Sequence, residues 1–166
     1  MVEKLKKVHK YVTIFAWFAL GLSLVWFATS YPNLPDEIGV HFDGDGNFDV
    51  HAEKYYGLYP YAVVLITLIL CGLASKLSKK VRFGLDISDE GEEMVRAGLT
   101  LYLDIFKTAY LIFYGFVWAE CIIYQHSLNT DIPRILLLAL FAAFIVFLVF
   151  AVVIIKKYNK KKVKHG

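Results

Sequence analysis

Six carboxylates and two histidines crowd one short stretch, LPDEIGVHFDGDGNFDVHAEK, from Leu34 to Lys54. Oxygen and imidazole ligands at that density can hold a metal ion. Asp43, Asp45 and Asn47 match positions one, three and five of a calcium loop of the form D-x-[DN]-x-[DN]-G-x5-E. The sixth position calls for glycine and is Phe48; the twelfth calls for a bidentate glutamate and is Lys54. A zinc site would draw on His41, His51 and His126 with Asp43, Asp49 and Glu120. No HExxH or CxxC spacing organises them. The candidate metal ligands are therefore His41, Asp43, Asp45, Asp49 and His51, for calcium or zinc, and no resident cofactor is expected. Two adjacent Asp-Gly turns account for the same spacing more simply. No nucleophile motif and no oxyanion-hole signature occurs, so no enzymatic activity is expected. A metal-dependent membrane enzyme is the third function weighed.

A second set of ionisable residues lies in an otherwise apolar run. Asp104 and Lys107 are three apart, share a helix face and can pair. Near a membrane interface Lys107 would snorkel to water. Glu120 lies thirteen residues beyond Lys107, or about 20 Å along a helix. Two readings of Glu120 stay open: a carboxylate facing the bundle interior, protonated or paired, or an interfacial glutamate reaching for water. Together Asp104, Lys107 and Glu120 are the candidate ion-coupling residues of a transporter or a transporter accessory subunit.

The elements that position these residues follow from hydropathy. Of 166 residues, 58% are hydrophobic, where a soluble domain is about half apolar. A bilayer core about 30 Å thick takes roughly 20 apolar residues of helix. Four segments meet that need: residues 11–29, 58–75, 99–124 and 135–155. The first is read as a retained helix, because no small-x-small cleavage site follows it. The reading is an all-α integral membrane protein, a four-helix bundle in one domain of residues 1–166. Its acidic cap loop, 30–57, joins the first two helices. A cytoplasmic loop, 76–98, and a basic tail, 156–166, complete the chain. Pro32 and Pro35 end the first helix. The segment DEIGVHF is read as extended, and DVHAEKYYGLYP as a brief helix leading into the second span. Acidic residues after Ser88 predict a helix start there that runs into the third span.

Lysine and arginine fix the expected orientation. The first ten residues carry four lysines, the last eleven carry six, and residues 76–96 carry three lysines and two arginines. The stretch Leu34–Lys54 has only Lys54, and QHSLNTDIPR only Arg134. Both termini are thus expected in the cytoplasm of a multi-pass plasma-membrane protein, with the acidic loop outside. The basic tails are expected against anionic lipid, without a nucleic-acid partner. Cys71 and Cys121 are expected near opposite faces, beyond disulfide reach.

The acidic loop also carries a pattern. Leu34-Pro35-Asp36, Ile38, His41-Phe42, Gly46 and Lys54 read LPDxIxxHFxxxGxxxxxxxK. It resembles the N-terminal conserved domain of SdpI-type bacterial membrane proteins over about residues 12–70. That domain also lies between a first and a second membrane helix, with proline usual where this chain has Gly39. The resemblance implies a small membrane protein of Gram-positive bacteria, an immunity or sensing factor against a secreted peptide toxin. It implicates Leu34, Pro35, Asp36, Ile38, His41, Phe42, Gly46 and Lys54 as the motif of a ligand-binding cap. A cationic amphipathic peptide is the expected partner, drawn by the loop carboxylates. A homo-oligomer or a membrane partner remains open.

Overall fold

The computed structural model of the chain describes residues 2–78, 84 and 86–159. Lysines 79 and 80, arginine 82 and residues 160–166 of the basic tail, all used in the orientation reading, lie outside the described residues. The chain is mostly helical, in the order α1 (Val2–Ser30), β1 (Glu37–Phe42), β2 (Phe48–Glu53), α2 (Tyr59–Ser78), α3 (Asp89–Ile112), α4 (Ala119–Tyr124) and α5 (Asp131–Lys157). Short 3₁₀ turns, Tyr31–Asn33 and Lys54–Leu58, flank the strands. A π-helical stretch, Phe113–Trp118, joins α3 to α4 and makes one rod from Asp89 to Tyr124.

Four helices are long and apolar enough to cross a membrane: Val2–Asn33, Lys54–Ser78, Asp89–Tyr124 and Asp131–Lys157. Their outward faces carry large apolar side chains, among them Phe15, Phe18, Ile66, Leu70, Leu137 and Phe141. A water-soluble monomer rarely exposes so much contiguous apolar surface. Length and composition are those of a multi-pass membrane protein.

The central element is α3, which packs against α1, α2 and α5. Its start is set locally: the Ser88 side chain caps the helix by accepting from the Gly91 backbone N–H at 3.3 Å. Asp89, Glu90 and Glu92 then place negative charge in the first turn, where the helix dipole favours it. The main core joins Ala16, Leu20 and Phe27 of α1 to Tyr61, Val64 and Leu68 of α2 and Leu111 of α3. Helix α5 is peripheral: only 6% of its most apolar window is buried. Its last turn is clasped to the start of α3, where the Ser88 N–H donates to the Tyr158 carbonyl at 3.0 Å.

The all-α reading needs one correction. Residues 37–53 form an antiparallel hairpin, with Glu37 opposite Glu53, Ile38 opposite Ala52 and Phe42 opposite Phe48. The register shifts between Gly39 and His41, as at a β-bulge. The expected helix over DVHAEKYYGLYP is also displaced. Residues up to Glu53 are strand, Lys54–Leu58 is a 3₁₀ turn, and α2 starts at Tyr59. Val50 and Phe48 are at home on a pleated surface, and the partner strand takes up their backbone groups.

Candidate functional site

The hairpin is held from both sides. Ile38 and Phe42 point inward and are buried, as is Leu34 just before the hairpin, while Val50 is exposed. Phe42 stacks on Phe48 at 4.4 Å between centroids and meets Trp118 edge-on at 5.1 Å. The polar docking partner is the short connection between α4 and α5. The Leu128 N–H donates to the Gly46 carbonyl at 2.7 Å, and the Ser127 hydroxyl to Asn47 Oδ1 at 3.1 Å. The Gly39 N–H donates to Gln125 Oε1 at 2.9 Å, and Gln125 itself takes a left-handed conformation, φ 51°.

Each residue of the LPD…HF…G…K pattern has a place here. Pro35 is exposed at the exit from α1, and Ile38 is fully buried. Asp36 and Lys54 close the base of the hairpin twice, through the Lys54 N–H to the Asp36 carbonyl at 2.9 Å and a side-chain ion pair at 3.1 Å. Lys54 also stands over the Tyr31 ring, 5.5 Å from its centroid. His41 Nδ1 lies 2.6 Å from Asp49 Oδ1. Gly46 has φ 86°, and a Cβ there would sit 2.0 Å from the Leu128 carbonyl oxygen.

The metal candidates do not converge. Asp43 Oδ1 accepts from the N–H groups of Asp45 and Asn47, both at 2.9 Å, so it shapes the turn. His41 is engaged with Asp49, while the His51 ring lies 6.3 Å from that of Phe48. Among the described residues no three His, Cys, Asp or Glu side chains are grouped to hold a metal.

The second charged set splits in two. Asp104 and Lys107 pair at 2.6 Å, with side chains 2% and 6% exposed. Lys107 does not snorkel: its ammonium turns inward and donates to Thr13 Oγ1 of α1 at 2.9 Å. A residue missed in the sequence completes the group. His9 of α1 places Nδ1 3.0 Å from both Asp104 oxygens. Its position one turn before Thr13 was no signal until α1 and α3 were packed together. Glu120 does not join them. Its side chain is 52% exposed at the hairpin end and lies 3.8 Å from His126 Nε2, so of its two readings the structure places it outside the bundle interior.

Between these two ends, the Ser23 hydroxyl donates to the Gly115 carbonyl, and the Tyr61 hydroxyl to the Ser23 carbonyl at 3.2 Å. Gly115 lies in the π-helical stretch, and the Ser23 hydroxyl gives its carbonyl a partner from α1. Cys71 and Cys121 are both free and buried.

The chain matches no family model, no curated protein and no solved structure at a significant level.

Proposed function

We propose that the protein crosses the plasma membrane four times with both termini in the cytoplasm, and that the hairpin is an outward-facing cap. There it captures a cationic, amphipathic peptide as an immunity or sensing factor of the SdpI-like type. The observation that carries this reading is the charge left on a firmly docked hairpin. All six carboxylates from Asp36 to Glu53 are exposed. Asp36 is paired with Lys54, Asp49 with His41, and Asp43 is committed to the turn. Glu37, Asp45 and Glu53 have no ion pair among the described residues. Glu37 and Glu53 face each other across the strands, an arrangement that like charges disfavour and that a cationic side chain relieves. Beside Glu53, Tyr55 and Tyr56 stack at 4.5 Å and are exposed. That pair offers an apolar shelf to the other face of the peptide.

The test uses the triple variant E37Q/D45N/E53Q, whose three side chains are exposed and leave the hairpin contacts intact. A cationic amphipathic helical peptide should bind wild-type protein in phosphatidylcholine nanodiscs more tightly than the variant. The difference should shrink at high salt, because exposed charges are screened over about 10 Å at 0.1 M. Equal binding by both proteins at low salt would sink the proposal.

A further inference from the structure

The end of the bundle away from the hairpin holds charge that the cap reading does not use. Asp104 and Lys107 are removed from solvent inside a helix apolar enough to cross a membrane. Ionisable groups in such helices are expensive to bury and are retained where they bind or move ions. They are not sealed off. The His9 side chain is 32% exposed and lines two cavities, of about 530 Å³ and about 420 Å³. The first opens beside Lys6, Glu93 and Arg96; the second runs between α1 and α2 past Thr13 and Ser75 to Lys107. On the hairpin side of Thr13 the bundle is apolar. Ala16, Leu20, Val64, Leu68 and Leu111 are all buried there. The next buried hydroxyls on that side, Ser23 and Tyr61, lie about 15 Å further along α1, counted from Thr13 at 1.5 Å per residue.

We propose that His9, Asp104 and Lys107 form a proton-binding site loaded from this end of the bundle through His9. With Nδ1–H donated to the Asp104 carboxylate, Nε2 is the basic nitrogen. It makes no hydrogen bond among the described residues, on a ring that lines both cavities. A proton from solvent adds at Nε2. The Nδ1 proton then passes to the Asp104 carboxylate, leaving a neutral imidazole with its hydrogen on Nε2 and a neutral carboxyl group. Lys107 keeps its hydrogen bond to Thr13 and loses its counter-ion. One proton enters and one is held, and the apolar layer stops it from going further. The other charges facing His9 come from three helices. Lys6 of α1 is tied to Glu3 and Glu93, Arg96 of α3 to Glu92, Asp89 of α3 lines the first cavity, and Lys76 of α2 lines the second. Among the described residues, none of α5 lines either cavity.

The inference is independent of the peptide reading, and so is its test. Full-length protein with 15N-labelled histidine, in phosphatidylcholine nanodiscs, is titrated with acid and followed by NMR. His9→Gln identifies the His9 signals among the five histidines. The proton should appear at Nε2 of His9. Asp104→Asn removes the negative partner and should weaken the proton affinity of His9 about tenfold. Lys107→Gln removes the competing ammonium and should strengthen it about threefold. A general loss of structure moves both variants the same way, whereas the site requires opposite signs. Unmoved signals of His41, His51 and His126 at the far end certify the fold. If Asp104→Asn does not hold its fold, Lys107→Gln decides alone. Protonation at Nδ1, no protonation of His9, or a change below about twofold in either folded variant would overturn the proposal.

Discussion

At the residue scale, two glycines and one ion pair carry the clearest consequences. Gly46→Ala demands a positive φ from a residue with a Cβ and puts that carbon into the Leu128 carbonyl. The loss should be about 1–3 kcal/mol, read as a lower unfolding midpoint in detergent with faster exchange of the Leu128 amide. Gly39 stands where the SdpI-type pattern usually has proline. Here its N–H is used by Gln125, and a Cβ would lie 2.1 Å from the Phe48 ring. Gly39→Pro should therefore weaken this hairpin, with Phe48→Ala in the same chain restoring part of the loss by making room. Asp104→Leu leaves the Lys107 ammonium buried and unpaired, a cost of about 3–5 kcal/mol. The double variant D104L/K107L removes both charges and should recover most of it. A double variant no better than the single one would mean that Asp104 acts through something besides this pair.

At the element scale, the hairpin and the π-helical turn depend on neighbours for their stability. A two-stranded hairpin alone is marginal in water. This one is anchored by buried Ile38 and Phe42 and by the bonds from Gln125, Ser127 and Leu128. Amide exchange across Ile38–Phe42 should accordingly be slow and should speed up with Leu128→Asp. Uniform rapid exchange from Leu34 to Lys54 in the wild type would rule out an ordered cap. Ser23 serves the Gly115 carbonyl from within the core, where it is 0% exposed. Ser23→Ala removes this hydrogen bond, at a cost of about 1 kcal/mol. The effect is measurable as a lowered unfolding midpoint and should be milder in Ser23→Thr.

At the scale of the whole molecule, α3 is the hub and α5 the outlier. Most of α5 faces away from the other helices, and its mean hydropathy, 3.3, is the highest of the four. Lipid is the natural solvent for such a surface. The orientation proposed here makes a direct prediction. With Cys71 and Cys121 replaced by alanine, a cysteine at Asp45 should react with an impermeant maleimide in intact cells. One at Lys4 should react only after lysis. The reverse pattern would invert the molecule and with it the peptide reading. It would also place the His9 site on the outside, without touching its chemistry.

The sequence alone determined the four apolar runs, because membrane helices announce themselves through local composition. It also determined the helix start at Ser88, where cap and first-turn charges lie within a few residues. The turn at Asp43–Asn47 was legible for the same reason, since Asp43 bonds to amides two and four residues on. Asp104 with Lys107 was legible as a pair, being one helical turn apart. Tertiary structure decided what those residues face. Only the packing of α1 on α3 brings His9 and Thr13 to Asp104 and Lys107, across more than ninety residues of chain. Glu120 lies on the same rod as Asp104, yet it faces outward beside His126. The hairpin was the least legible part. Its strands are short and polar on one face, and what fixes them is the docking of Gly39, Gly46 and Asn47 on the distant connection before α5. Contacts of that range leave no periodicity in the chain, and they form only when the helices pack.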